Sequence, residues 1–146
     1  MEIRPMLLSD LDQVIYIENQ SMPSPWTKEL FEEELGRSLA FYFVAVENQQ
    51  IAGYIGFWEA PQEAHVITLA THSLYRNQKI ATRLLAFCIE FSRKRGARLM
   101  TLEVRASNQI AQHLYEKCMF RLVAIRKGYY ADTGEDAWVM YRDLIE

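Results

Sequence analysis

Cysteine is scarce in this chain of 146 residues: there are two, Cys88 and Cys118, and neither sits in a CxxC pair or a Cys/His cluster. That excludes a disulfide scaffold and argues against a zinc site, and two isolated thiols fit a reducing compartment. A surplus of positive charge is missing as well. The formal net charge is −3, so no general basic face exists for neutralising the phosphates of a nucleic acid. Long apolar runs are absent. The opening MEIRPMLLSD is neither a signal peptide nor a membrane span, and the expected location is the cytoplasm. His65, His72 and His113 lack a ligand spacing such as HExxH. No metal is expected, and the three read as structural or surface residues. What remains is 50% hydrophobic and 24% charged, the balance of a globular protein with one core. Residues 1–146 read as a single domain.

Hydrophobic periodicity divides the chain into elements. Glu2 to Met6 reads as a short strand. Ser9 is a candidate N-cap for a helix through about Glu18, with Leu11, Val14, Ile15 and Ile17 on its apolar face. Ser21 to Trp26 holds two prolines and reads as a loop. Thr27 can cap a helix over Lys28 to Leu35, which Gly36 would end in a left-handed conformation. Phe41 to Glu47 and Ile51 to Trp58 are rich in aromatic and β-branched residues and flank a hairpin turn at Asn48-Gln49-Gln50. Glu63 to Thr71 is a third long strand. Ile80 to Arg95 is a helix with Lys94 and Arg95 in its last turn and Gly96 just beyond. Arg98 to Val104, Phe120 to Gly128 and Ala137 to Tyr141 read as strands, with a short helix over Asn108 to Lys117. The order is that of an α/β protein with a mixed sheet: an antiparallel meander first, then a β-α-β crossover.

The chemistry-bearing segments lie late in the chain. Leu69 to Leu85 joins a strand to the long helix, and Arg76, Lys79 and Arg83 surround its turn. A helix start offers unpaired N–H groups and the positive end of a dipole, which suits a phosphate. Farther on stand Leu102-Glu103-Val104-Arg105-Ala106-Ser107-Asn108 and Leu114-Tyr115-Glu116.

Together these runs resemble the GNAT acetyltransferase superfamily. Arg76 and Ala81 fill the first and last positions of its (R/Q)-x-x-G-x-(G/A) motif. LEVRASN followed by LYE is similar to the bacterial ribosomal-protein-alanine N-acetyltransferases (the RimI group). That likeness runs from about Pro25-Trp26 to Met140.

The resemblance implies a GNAT fold: a mixed, mostly antiparallel central sheet flanked by helices. It implies transfer of an acetyl group from acetyl-CoA to a protein N-terminal α-amine in a ternary complex, with the N-terminal alanine of a small-subunit ribosomal protein as acceptor. Acetylation of a small amine or a lysine, or a non-catalytic binding module, is the alternative.

By the same resemblance, Arg76, Asn77, Gln78, Lys79, Ile80, Ala81 and Thr82 hold the coenzyme pyrophosphate, and Leu69, Ala70 and Thr71 pair with its pantetheine arm through their main chain. Asn108 contacts the coenzyme, Glu103 is the general base and Tyr115 protonates the departing thiolate. An α-amine has a pKa of about 7.7–8.0 and must lose a proton to attack. Desolvation would raise the basicity of Glu103. Trp26, Tyr129 and Tyr130 match the positions that wall the acceptor slot. Glu18 and Glu32-Glu33-Glu34 read as a solvated helix face. A monomer or weak dimer is expected.

Lys79 and Met119 stand where the family carries glycine. A lysine at the first would fit an ordinary φ or carry strain, and a left-handed Met119 would be strained, so that helix is expected to end differently.

Overall fold

The computed structural model describes residues 1–145. Seven strands form one sheet: β1 (Glu2–Pro5), β2 (Ala40–Glu47), β3 (Gln50–Ala60), β4 (Glu63–Thr71), β5 (Leu99–Arg105), β6 (Arg121–Arg126) and β7 (Ala137–Asp143). Four helices accompany them: α1 (Leu11–Ser21), α2 (Lys28–Leu35), α3 (Ile80–Lys94) and α4 (Gln109–Lys117). The sheet order is β1-β2-β3-β4-β5-β7-β6, and β4–β5 is its parallel pair. This is the mixed, mostly antiparallel sheet that the sequence pattern implies.

Each face carries its own core. Leu84, Leu85 and Cys88 of α3 and Tyr115 of α4 pack on Phe57, Val66, Met100, Leu102 and Met140. Leu11, Val14 and Ile17 of α1 and Phe31 of α2 pack on Tyr42, Val44 and Tyr54 across the sheet. Burial of each such side chain contributes about 1.5–3 kcal/mol relative to leaving it exposed.

Local signals set most boundaries. Thr27 caps α2 through its hydroxyl, which accepts from the Leu30 N–H at 3.2 Å. After α3, Gly96 takes a φ of +99° that a side chain would resist. Two expectations fail. Ser9 lies inside a short 3-10 turn (Leu8–Asp10), and α1 starts only at Leu11. The Asp10 carboxylate fixes that turn, accepting from the Leu7 N–H at 2.7 Å and from the Arg4 guanidinium. Gly36 ends α2 with a φ of −87°, in the right-handed region, because its N–H turns back on the Glu33 and Glu34 carbonyls.

One irregularity positions the site. Thr68 lies opposite Gly56 and Val66 opposite Phe57, so Ile67 is the extra residue of a β-bulge. Gly56 is required there, since a Cβ would stand 2.1 Å from the Tyr42 ring. The bulge swaps the faces of β4: Ala64 and Val66 join the α3 core, whereas Ala70 joins the α1 core.

Candidate functional site

The parallel register of β4 and β5 runs from Glu63 opposite Leu99 to Val66 opposite Leu102 and stops at the bulge. From there the strands part. Glu103, Val104 and Arg105 pair with β7, while Leu69, Ala70 and Thr71 pair with β3. The facing edges of β4 and β5 therefore present main-chain N–H and C=O groups to a gap rather than to each other. A cavity of about 470 Å³ fills this gap. Its floor is Val66 to Leu69 on one strand and Leu102 to Arg105 on the other.

Glu103, Tyr115 and Asn108, named from the sequence, meet there. Strand alternation turns Glu103 away from the α3 core that takes Leu102 and Val104. Its Oε1 lies 3.0 Å from His65 Nε2, and its Oε2 lies 3.9 Å from Arg126 Nε. The His65 hydrogen bond holds the Glu103 carboxyl below its usual range. Partial burial opposes this, and the charges of His65 and Arg126 reinforce it. The expected rise in basicity by desolvation is thus outweighed by a hydrogen-bond donor, and Glu103 stays ionised through neutral pH.

Tyr115 packs against Phe120 with ring centroids 5.9 Å apart, and burial pushes its phenol well above the ordinary tyrosine value. It remains a protonated donor at neutral pH. Asn108 caps α4, its Oδ1 accepting from the Ala111 N–H at 3.1 Å.

Met119 adopts a φ of +72°. Its N–H reaches the Glu116 carbonyl at 3.0 Å, and the Phe120 N–H reaches the Tyr115 carbonyl at 2.9 Å. Those two bonds complete the helix-ending motif that glycine usually serves. The helix therefore ends as it would with glycine, and Met119 bears the strain because the chain must turn Phe120 into the core.

Lys79 likewise takes a left-handed conformation, with a φ of +62° just before α3. No side chain caps that helix start. Arg76, Asn77, Gln78 and Lys79 are exposed around it, Ala81 and Thr82 are half-buried, and Ile80 is buried. These residues stand apart from the cavity lining, as do Ala70, which is in the α1 core, and Thr71.

The mouth of the cavity is built by two loops. Met22 to Ser24 and Trp26 come from the α1–α2 loop, and Tyr130 comes from the β6–β7 loop. Arg105 ties them together. It donates to Asp132 at 2.9 Å, approaches Glu135 at 3.4 Å and lies 4.0 Å over the Tyr130 ring. Ser24 donates its hydroxyl to Asp132 at 2.8 Å. The Arg105 and Ser24 donors pull the Asp132 carboxyl down to about 2. Tyr129 stands outside the lining, exposed, edge-on to Tyr130 and under Arg126.

Glu18 and Glu34 correct the reading of a solvated acidic face, although Glu32 and Glu33 are exposed. Glu18 is 2% exposed. It accepts from the Tyr54 hydroxyl and from the Trp26 N–H, and so pins the α1–α2 loop at the cavity wall. Glu34 accepts from Tyr42 and Trp58. The missed signal was spacing: Glu18 follows Val14 by four and Leu11 by seven, on the apolar stripe of α1. His65 stands outside the cavity lining but hydrogen-bonds Glu103 from behind it, so it is not merely a surface residue. Among the described residues no cluster of three His, Cys, Asp or Glu suits a metal, and no helix is long and apolar enough to cross a membrane.

Residues 11–120 match the model of the acetyltransferase (GNAT) family. A protein of Bacillus subtilis (strain 168) is 40% identical over 99% of this chain and 96% of its own length; it is provisionally designated a ribosomal protein bS18-alanine N-acetyltransferase. An N-alpha-acetyltransferase of Saccharolobus solfataricus is 36% identical over 97% of this chain and 92% of its own. The crystal structure of the ribosomal-protein-S18-alanine N-acetyltransferase from Escherichia coli superposes with a TM-score of 0.90, at 29% identity, over 99% of this chain and 94% of that one. With strands that part at a bulge and a family match over most of its length, this chain belongs to the acetyltransferase (GNAT) family and is an N-acetyltransferase.

Proposed function

We propose that this protein acetylates the N-terminal α-amine of a protein, with the N-terminal alanine of a small-subunit ribosomal protein as acceptor. The observation that carries this reading is the meeting of Glu103 and Tyr115 in one cavity between parted strands. The acetyl donor is acetyl-CoA, which supplies a reactive thioester and a thiol leaving group. The chain offers it two fitting features: the unpaired main-chain edge of β4 for an amide-bearing arm, and the uncapped start of α3 for a diphosphate. Arg76 and Lys79 add positive charge at that start.

The acceptor enters from the side of Trp26 and Tyr130. At neutral pH roughly a tenth of an α-amine is already unprotonated. Glu103, ionised and half-buried, takes the proton from the nitrogen directly or through one water. A nitrogen that has begun to bond to carbon is far more acidic than a free ammonium, so a carboxylate of low pKa suffices. Main-chain N–H groups of β4 facing the gap stabilise negative charge developing on the acetyl oxygen. Tyr115, protonated at neutral pH, donates to the departing sulfur as charge builds there, and the phenolate left behind regains a proton from solvent after the products leave.

Acetyl transfer to a peptide with a free N-terminal alanine tests the reading. The control is the same peptide with a blocked N-terminus and an internal lysine. Activity on the free terminus alone is expected. Equal or greater activity on the lysine peptide would overturn the choice of acceptor.

A further inference from the structure

His65 lies on β4 directly opposite Thr101 of β5, and its ring reaches along the sheet face that carries Thr101 and Glu103. Its Nδ1 is 2.6 Å from Thr101 Oγ1 and its Nε2 is 3.0 Å from Glu103 Oε1. Three protonation states are open to an imidazole. A neutral ring protonated on Nδ1 would set the Nε2 lone pair against a carboxylate oxygen, which is repulsive. A neutral ring protonated on Nε2 donates to Glu103 while the Thr101 hydroxyl donates to Nδ1, and every polar atom is satisfied. The imidazolium donates from both nitrogens, with Thr101 accepting. In both allowed states Glu103 accepts a hydrogen bond from His65.

Glu103 needs such a holder. Its side chain has three free torsions, and Arg126 waits 3.9 Å from Oε2 on an exposed strand. That guanidinium already pairs loosely with Oε2, and without a partner at Oε1 it would draw the carboxylate from the cavity into a closer pair. His65 itself does not line the acetyl-transfer cavity; it faces a separate hollow of about 390 Å³ with Arg37, Trp58, Glu59, Glu63 and Thr101. Whatever it does for the reaction it does through Glu103. The other charged or titratable groups near the pair are Arg37, Glu59 and Glu63 across that hollow, and Tyr130 and Arg126 on the far side of Glu103.

We infer that His65, oriented by Thr101, is a positioning residue for acetyl transfer. It fixes the Glu103 carboxylate through one N–H donor at Oε1 and keeps Oε2, which Arg126 meets only at 3.9 Å, able to meet the acceptor amine or its relaying water. This rests on the reading of Glu103 as the proton acceptor. The arrangement also explains why a histidine, rather than a lysine, suits the position. An imidazole can donate one hydrogen bond without a permanent charge, and so orient the carboxylate without a fixed ion pair that quenches it.

The test compares His65→Ala, His65→Gln, Thr101→Val and Glu103→Gln in steady-state acetyl transfer across pH. Folding is checked by melting and the donor site by acetyl-CoA binding. A general base contributes about 10²–10⁴-fold, and Glu103→Gln is expected to lose most of that. His65→Ala is expected to lower kcat by about 10- to 100-fold, a part of the same contribution, with KM for acetyl-CoA unchanged. The glutamine amide of His65→Gln can donate to the same oxygen and is expected to restore most of the turnover. In Thr101→Val the ring nitrogen-15 shifts of His65 are expected to leave the single Nε2–H tautomer.

Full turnover by His65→Ala beside a crippled Glu103→Gln overturns the inference alone. Full turnover by Glu103→Gln overturns the reading beneath it as well. A folded His65→Gln no better than His65→Ala overturns the donor role. Should His65→Ala fail to fold, unchanged turnover and unchanged nitrogen-15 shifts in Thr101→Val overturn the inference.

Discussion

Alternate residues of β5 live in different surroundings. Met100, Leu102 and Val104 point into the α3 core and are at most 5% exposed. Thr101, Glu103 and Arg105 point to the other face and carry hydroxyl, carboxylate and guanidinium into a polar network with His65, Asp132 and Glu135. α1 and α2 pack over β2 to β4 on that second face and leave β5 uncovered. One strand thus separates stability from chemistry by the period of two. Its apolar side chains anchor it, and its polar side chains are free to differ.

The comparison breaks most visibly at its centre. Glu103→Gln is expected to lower kcat by about 10²–10⁴-fold with only a small fall in melting temperature, read by peptide acetylation beside calorimetry. On the same strand, Met100→Ala, in the core and outside the cavity lining, is expected to cost about 2–5 kcal/mol of stability in denaturant unfolding. Turnover per folded molecule should stay near wild type. If the two substitutions gave similar profiles, the division of labour along β5 would be wrong.

Arg105→Ala tests the network at the cavity mouth. It frees Asp132 and Glu135 and loosens the tie between the two loops. KM for the acceptor peptide is expected to rise about tenfold, equivalent to about 1.4 kcal/mol, with acetyl-CoA affinity unaffected. Stability should fall by only about 1 kcal/mol, since the pairs are partly solvated.

Acid titration sharpens the same contrast. Glu103 and Asp132 have folded pKa values below their unfolded ones. Their contribution to stability is therefore fully present above the ordinary carboxylate range and is lost as pH falls through the depressed folded values. For Asp132 that loss runs from about pH 4 toward about 2. Above pH 5, a rate inflection is expected from the acceptor amine and not from Glu103. Carboxyl carbon shifts followed by NMR would identify each group.

The smallest effect lies at the helix end. Met119→Gly relieves a left-handed side chain whose cost is about 1–2 kcal/mol, part of which is returned by the freer unfolded chain. A gain of about 0.5–1 kcal/mol in denaturant unfolding is expected, without change in kcat.

How much of this was legible beforehand differs by residue. The Thr27 cap, the Gly96 stop and the span of α3 follow from local rules, because capping and periodicity act within a few residues. The LEVRASN and LYE runs marked Glu103, Asn108 and Tyr115 as candidates, and the fold brings all three to one cavity. Ser9 was misread because the Asp10 carboxylate, fixed by Arg4 on β1, competes for the turn. Glu18 and Glu34 were misread because their phenol and indole partners lie on β2 and β3, distant in sequence.

By itself the sequence determined which segments are helix and strand, the family, and the candidate residues Glu103, Asn108 and Tyr115. These depend on short-range periodicity, capping chemistry and motif spacing. The tertiary structure alone decided that β4 and β5 part at Ile67, that His65 rather than solvent meets Glu103, and that Met119 turns left-handed. Each of these is settled by strand register and by the space that neighbours leave, and neither quantity exists until distant segments have packed.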